Sequence, residues 1–166
     1  MKKHLAVLVG GLSALLATAS CGRLAESEIL VASSAILSPE WTELRPRAAM
    51  RTTGDLSELF IEIPDLHTQR TGGPVLGEND KEILVEGYLT ANNGERIQFD
   101  KVEIVGFGNK SVLRLSNHML EWKDRGYRFK SVLLKTNRQI NVGKIVWFSY
   151  DPASTHTGVA IPKSFQ

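Results

Sequence analysis

ILVEGYLTANNGERIQF, residues 83–99, is the stretch of this chain that decides its fold. Ile83, Val85, Gly87 and Leu89 alternate with the residues between them, so in an extended chain they lie on one side, and this side is apolar enough to be buried. Asn93-Gly94 follows, a pair preferred in type I′ hairpin turns because both residues tolerate positive φ. A second alternating stretch starts at Arg96. The segment therefore predicts two antiparallel strands joined by a tight turn.

The same period of two recurs along most of the remaining chain, interrupted by Gly, Pro, Asn and Asp. Helical patterns are poor, since Ser38–Met50 holds two prolines and His118–Lys123 is long enough for a turn only. Roughly eight strands spaced by turns predict an all-β fold, a single antiparallel β-sandwich of the jelly-roll type. Besides the hairpin, strands are predicted at Ile29–Leu37, Leu59–Ile63, Arg96–Phe107 with a break near Asp100, Ser111–Ser116, Tyr127–Thr136 and Lys144–Tyr150, with a short terminal one at Val159–Ile161. We interpret Asn137–Gly143 as a turn region, with a short strand at Ile140 and Val142 as the alternative.

Residues 66–81 interrupt this pattern. They hold Thr71-Gly72-Gly73-Pro74 and Gly77-Glu78-Asn79-Asp80, two clusters of turn-forming residues. We interpret the segment as a long loop, and loops of this length are uncommon unless they have a function. A loop at one end of a rigid sandwich is a candidate place for ligand contact.

The first 21 residues have the organisation of an export signal. Lys2 and Lys3 give a positive start, and Leu5–Ala19 is an uncharged apolar run too short to span a bilayer comfortably. The run ends in Thr18-Ala19-Ser20-Cys21, which contains the single cysteine of the chain. This arrangement resembles a bacterial lipoprotein signal with its lipobox, although Thr18 stands where that family usually has Leu.

The resemblance implies that Cys21 carries the lipid and that residues 1–20 are removed as a signal peptide. Gly22, in place of the Asp that retains such proteins in the inner membrane, implies the outer membrane, facing the periplasm. Residues 21–27 would then be the lipidated cysteine with a short linker, and residues 28–166 the β-sandwich domain. From the residues alone, an ordinary secretory leader with an incidental cysteine and an uncleaved membrane helix stay open as alternatives.

A second resemblance lies in the second half of the chain. The apolar runs Phe129–Leu134 and Lys144–Phe148 are similar in rhythm to galactose-binding or discoidin-type β-sandwiches. This resemblance implies the fold only and carries no functional residue across.

The charge balance of the exported part is neutral. Without the leader's Lys2 and Lys3 it has 18 basic and 18 acidic residues, interspersed along the chain. A neutral domain lacks the electrostatic footprint of a nucleic-acid-binding protein, and no polybasic membrane-binding run is visible. With Cys21 acylated no thiol is left for a disulfide, so stability must come from packing. The expected partners are the membrane, through the lipid, and an envelope protein or a glycan, with no nucleic acid.

The common catalytic motifs are missing. No Gly-x-Ser-x-Gly occurs, and Gly106–Ser111 begins like a nucleotide-binding loop but leads into a strand, so we interpret it as a hairpin turn. His67, His118 and His156 have no partner at a metal-binding spacing. The sequence therefore predicts no catalytic residue, no metal and no cofactor, and a protein that is not an enzyme.

Aromatic residues remain as candidates for ligand contact. Trp147 lies in the strongest predicted strand with Phe148 on the other face, and we expect it in the core. Trp41 and Trp122 lie outside the strands, where an exposed Trp can stack on a sugar or anchor a protein interface. Together with His67 in the long loop, they are the candidate binding residues.

Three functions are compatible with the sequence. The first is a membrane-anchored envelope lipoprotein whose non-catalytic sandwich binds a protein, favoured by an exposed apolar patch around a Trp, or a glycan, favoured by a groove with Trp beside Arg or Asn. The second is a structural or envelope-assembly lipoprotein without a discrete ligand, which predicts an edge strand covered by a partner. The third is a hydrolase of envelope polymers, which requires a concave polar pocket with at least two titratable groups.

Overall fold

The computed structural model describes residues 26–64, 76–77, 81–107, 110–120, 126–152 and 160–166. Within these ranges the predicted all-β fold is confirmed, and every strand pair is antiparallel. The strands are β1 Ser27–Ala32, β2 Ala35–Leu37, β3 Thr42–Leu44, β4 Met50–Arg51, β5 Leu56–Glu62, β6 Leu76–Gly77, β7 Lys81–Glu82, β8 Val85–Ala91, β9 Arg96–Gln98, β10 Lys101–Phe107, β11 Lys110–Ser116, β12 Arg128–Thr136, β13 Ile140–Val142 and β14 Ile145–Tyr150. The described residues also form 3₁₀ turns at His118–Leu120 and Lys163–Phe165. They contain no helix with the length and apolar character needed to cross a bilayer.

Two sheets face each other across an apolar core. The first sheet has the strand order β1-β14-β5-β11-β10, and the second has the order β3-β12-β8-β9, with β4 also paired to β12. Separate two-stranded ribbons are formed by β2 with β13 and by β6 with β7. Because side chains alternate along a strand, one face of each sheet contributes to the shared core. Trp147 of the first sheet meets Phe129 of the second sheet there, with ring centroids 5.7 Å apart.

The central part of the outer face of the first sheet is also buried. Residues 160–166, here called the C-terminal strap, pack on it and form a second, smaller core with β5, β11 and β14. Phe165 of the strap is 2% exposed, and its ring centroid lies 6.4 Å from that of Phe60 in β5. Strand β14 is therefore buried on both faces, so Trp147 lies in the core as predicted and its neighbour Phe148 is buried as well.

The bounds or type of three predicted segments differ from the structure. The strand predicted at Ile29–Leu37 is divided, because the chain bends at Ser33 and β2 leaves the first sheet to pair with β13. The terminal strand predicted at 159–161 is wrong in its described part, since Ala160 and Ile161 join no strand and pack against the outer face of the first sheet. The segment 66–81 is not loop throughout, because β6 lies within it and pairs with β7 at its end.

The β8–β9 hairpin is present as predicted, but its turn is not of type I′. The Gly94 N–H donates to the Ala91 carbonyl oxygen at 3.0 Å, so the turn is centred on Asn92 and Asn93, and Gly94 follows it with a φ of 90°. A turn followed by a glycine in the left-handed region is the three-residue type of hairpin loop. After β9 the chain breaks at Asp100, as predicted, and crosses to the first sheet as β10.

The sandwich has two distinct ends. At the end where β1 begins, Ser27 is in register with Ser149, whose hydroxyl accepts hydrogen bonds from the N–H groups of Thr53 and Gly54 at 2.8 Å. We call this the amino-terminal end. At the opposite end β12 finishes and β8 begins. Backbone hydrogen bonds from Thr136 to Ser38 and from Asn137 to Leu84 join the loops at this end.

Candidate functional site

Trp41 lies on the outer face of the second sheet, towards the opposite end. A turn in which the Glu40 N–H donates to Ser38 Oγ at 3.2 Å brings the chain to β3, which pairs with β12. The Trp41 side chain therefore reaches β8 and β12. Its ring centroid lies 5.0 Å from that of Tyr88 and 4.8 Å from Lys135 Nζ.

Trp41, Tyr88 and Lys135 form a surface that we call the Trp41 platform. Lys135 Nζ is also 3.1 Å from a carboxylate oxygen of Glu86, its register partner on β8. An ammonium over an indole ring is attracted to the electron-rich face, by about 0.5–1 kcal/mol at exposed sites. Trp41 nevertheless stays 42% exposed. The platform thus combines aromatic area that a partner can bury with a fixed ion pair at its margin.

Two further apolar side chains are exposed at the same end of the sandwich. Leu84 is 54% exposed and Ile36 is 58% exposed. The Leu84 N–H donates to Asn137 Oδ1, and the Asn137 N–H donates back to the Leu84 carbonyl oxygen, just beyond the end of β12. Ile36 lies in β2. Two residues further on, the carbonyl oxygen of Ser38 accepts a hydrogen bond from the N–H of Thr136 at the end of β12. Large apolar residues grouped on an exposed surface mark sites of protein contact.

A cleft of about 420 Å³ lies along β9 and the crossing to β10. Asp100 forms a hydrogen bond with Nδ1 of the His118 imidazole, and Asn117 Nδ2 donates to the backbone oxygen of Gln98. The hydrogen bond from His118 lowers the pKa of Asp100 below its ordinary value. The polar side chains that line the cleft are Glu95, Arg96, Gln98, Asp100, Asn117 and His118.

This cleft can bind a polar ligand, and its carboxylate can orient the imidazole as a general base. None of its described lining residues is Ser, Thr or Cys, so this lining supplies no hydroxyl or thiol nucleophile. The His118 side chain is 76% exposed, so water screens its interaction with the Asp100 carboxylate. The part of the chain that the structure describes also brings no three His, Cys, Asp or Glu side chains together as a metal site.

Glu58 is a buried carboxylate on the outer face of the first sheet, 5% exposed. The Tyr150 hydroxyl donates to its Oε2 at 3.0 Å, and Arg114 Nε lies 3.7 Å from its other oxygen. Burial, and after it the charge of Glu58, raises the pKa of Tyr150 well above its ordinary value, so the phenol stays protonated. A buried charge held by a hydroxyl and a guanidinium is satisfied within the fold, and we assign this cluster a structural role.

Of the candidate binding residues, Trp41 is described by the structure and is exposed. His67 and Trp122 lie outside the described residues, as does Cys21, the predicted lipid attachment site. His156 and most of the predicted long loop lie outside them too.

Sequence reasoning missed the partners of Trp41 and the pairing of Asp100 with His118. Tyr88 carried a signal, because it is an aromatic residue on the polar side of an alternating strand. The contact of Asp100 with His118 carried none, since it depends on how β10 and β11 are aligned in the first sheet.

Comparisons with known proteins found no relative of this chain. No protein-family model matches the chain, and neither the curated proteins nor the solved structures contain a match. The candidate sites are therefore judged on the geometry and chemistry of this chain alone.

Proposed function

We propose that this chain is a lipid-anchored protein of the bacterial outer membrane whose non-catalytic β-sandwich binds a protein partner in the periplasm. The observation that carries the proposal is the Trp41 platform, an exposed indole fixed by Tyr88 and Lys135. Trp is the residue type most enriched among those that dominate binding energy at protein interfaces. The exposed Leu84 and Ile36 at the same end favour a protein over a glycan, since a sugar site would pair the indole with a polar groove.

The position of the platform fits an anchored binding protein. A lipid on Cys21 would lie at most about 20 Å from the start of β1, because six extended residues reach no further. The amino-terminal end of the sandwich would then lie close to the membrane. Trp41 lies towards the opposite end, so it would face away from the lipid and towards periplasmic partners.

Site-specific photocrosslinking tests the partner. A photoreactive amino acid placed at position 41 in cells is expected to give a discrete crosslinked protein, and Tyr88→Ala combined with it should weaken that product. The matched control is position 102, because Val102 is equally exposed at 43% but lies on β10 of the first sheet. The same products from both positions, or none from position 41, would contradict the proposal. Glycan-array binding that is lost in Trp41→Ala would assign the platform to a sugar.

Labelling with radioactive palmitate tests the anchor separately. The wild-type chain is expected to incorporate label, and Cys21→Ser is expected to incorporate none. An unlabelled wild-type chain, or equal labelling of Cys21→Ser, would remove the lipoprotein part of the proposal. The crosslinking result does not depend on this outcome.

Two alternatives remain as separate proposals. A structural lipoprotein of an envelope assembly would have an edge strand such as β10 covered by a partner, so crosslinks would then come from position 102. A hydrolase of envelope polymers would use the cleft at Asp100 and His118 with water as nucleophile. Turnover of purified cell-wall fragments that disappears in both Asp100→Asn and His118→Ala would favour the hydrolase.

A further inference from the structure

Two arginines face each other across neighbouring strands of the second sheet. Arg51 of β4 is the register partner of Arg128 of β12, and both are exposed. Their chain neighbours Met50 and Phe129 are fully buried in the core, so the two guanidinium groups belong to the outer face of the sheet. Side chains in register on antiparallel strands start about 5 Å apart, and two like charges in that position repel each other.

Three further exposed basic residues lie in neighbouring segments that the structure describes. Lys130 is exposed at the register irregularity of β12, two residues after Arg128, and Arg96 is exposed on β9 of the same sheet. Arg47 is exposed in the segment between β3 and β4. In the described part of the chain, no carboxylate lies within ion-pair distance of Arg51 or Arg128. We call these five residues the basic patch. It assembles from three separate segments, which is why no polybasic run is visible in the sequence.

The basic patch lies at the amino-terminal end of the sandwich. Trp147 Nε1 donates to the Arg51 carbonyl oxygen, and the N–H groups of Thr53 and Gly54, which follow Arg51, donate to Ser149. Ser149 is in register with Ser27, the first residue of β1. The Arg51–Arg128 pair is therefore close to the point where the linker from Cys21 enters the domain. From Arg128 to Lys135 of the Trp41 platform, β12 rises roughly 23 Å at about 3.3 Å per residue.

From this placement we propose that the basic patch docks on the anionic surface of the membrane that holds the lipid anchor, with Arg51 and Arg128 binding a phosphate of a lipid headgroup between them. Guanidinium groups bind phosphate through paired N–H donors, and a phosphate between the two arginines relieves their repulsion. The linker limits the distance to about 20 Å, so the patch meets the headgroups without large motion. This inference depends on the proposed anchor. It gives the anchored domain one orientation, with the amino-terminal end at the bilayer and the Trp41 platform roughly 23 Å along β12 from the docked arginines.

The test uses the full acylated protein reconstituted on vesicles. A donor dye on Asn93→Cys, in the hairpin loop at the amino-terminal end, reports its distance to acceptor dyes on lipid headgroups by energy transfer. Vesicles of phosphatidylcholine with phosphatidylglycerol are expected to give higher transfer than vesicles of phosphatidylcholine alone, and high salt should abolish the difference. In R51Q/R128Q the ratio of docked to undocked protein should fall by roughly fivefold for each arginine removed.

The control variant is K101Q/K163Q, which removes the same charge from two exposed lysines that belong to the first sheet and the strap. It should keep the transfer of the wild-type protein. The melting temperature of R51Q/R128Q should not fall, since the substitution removes a repulsive pair, so lost docking would not reflect unfolding. Equal loss in both variants would mean that only net charge matters, and this result would overturn the proposal.

Two other outcomes would also overturn it. Transfer that is the same on both kinds of vesicle would show that no docking takes place. Inorganic phosphate that binds Arg51 and Arg128 and cancels the lipid effect at low concentration would make the pair a site for free phosphate. In each of these outcomes the protein still floats with the vesicles, so the lipid anchor is intact and only the docking proposal fails. A protein that does not float with them contradicts the anchor itself, so the two proposals fail separately.

Discussion

Arg114 links two carboxylates on the outer face of the first sheet. It donates to Glu103 of β10 and lies 3.7 Å from Glu58 of β5, a distance that suits an ion pair but is too long for a hydrogen bond. Burial of the guanidinium lowers the pKa of Arg114. The hydrogen bond to Glu103 and the charges of Glu58 and Glu103 outweigh this effect, so the pKa is raised overall. In return, the hydrogen bond from Arg114, with a second from Lys101, lowers the pKa of Glu103. One side chain thus couples three strands of the sheet by charge.

The lowered pKa of Glu103 predicts how stability depends on pH. Its unfolded-state pKa is about 4.3, so the stabilisation from ionised Glu103 is complete above that pH and is lost as the pH falls through the lower folded-state value. In Glu103→Gln the free energy of unfolding should be lower at neutral pH and should decline less steeply below about pH 4.3. Urea unfolding at a series of pH values measures both. Glu95→Gln, at an exposed carboxylate, should keep the wild-type slope, and parallel curves for wild type and Glu103→Gln would contradict the prediction.

Among the elements, the β8–β9 hairpin shows how one residue sets a turn. Gly94 has a φ of 90°, a backbone conformation that residues with a Cβ avoid. Its hydrogen bond to Ala91 and the bond from the Ala91 N–H to the Glu95 oxygen at 2.8 Å close the three-residue loop. The register of β9 on β8 follows from this loop, because a loop of another length would shift every pair.

Substitution of Gly94 tests this element. A Cβ at Gly94 would meet nothing within 4 Å, so the cost of Gly94→Ala is backbone strain and not a clash. We expect it to lower the free energy of unfolding by about 1 kcal/mol, and Gly94→Asn to cost less, because Asn tolerates the left-handed region. Denaturant unfolding measures both variants. Equal losses for Ala and Asn would show that φ at this position does not control the turn.

At the scale of the whole molecule, two cores share the central strands of the first sheet. Strands β5 and β14 have one face in the core between the sheets and the other under the C-terminal strap. The strap is held by packing of Phe165, by the Ser164 N–H, which donates to Glu28 Oε1, and by Lys144 Nζ, which donates to the Ser164 oxygen. Since neither face of these strands meets solvent, the strap belongs to the cooperative unit.

Phe165→Ala tests this cooperativity. Removal of a buried phenyl ring typically costs about 3 kcal/mol or more, and we expect a loss of that order because Phe165 is 2% exposed. Unfolding should stay a single transition with the same midpoint by circular dichroism and by Trp fluorescence. Val102→Ala, at an exposed apolar position, should change the free energy of unfolding by less than about 0.5 kcal/mol. A separate early transition, or no loss of stability, would show that the strap is only an appendage.

The hairpin and the strand pattern were predictable because they depend on neighbours in the chain. Alternation in 83–99, turn residues and the break at Asp100 each reflect local backbone preference, and each has its counterpart in the structure. The turn type was missed because Asn92-Asn93-Gly94 offers two overlapping ways to place a turn. The strap was missed because Ala160, Ile161 and Phe165 show no period, and their burial depends on a sheet formed elsewhere in the chain.

Sequence alone determined that this chain is built of antiparallel strands, and it predicts an anchor at Cys21, because period, turn chemistry and an export signal are local properties. Tertiary structure alone decided which strands share a sheet, that Trp41 is exposed beside Tyr88, and that Arg51 stands opposite Arg128. The physical reason is that sheet order and register join residues far apart in the chain. The alternation of apolar residues predicts that one face of a strand is buried, but it does not predict which distant strands pack against that face.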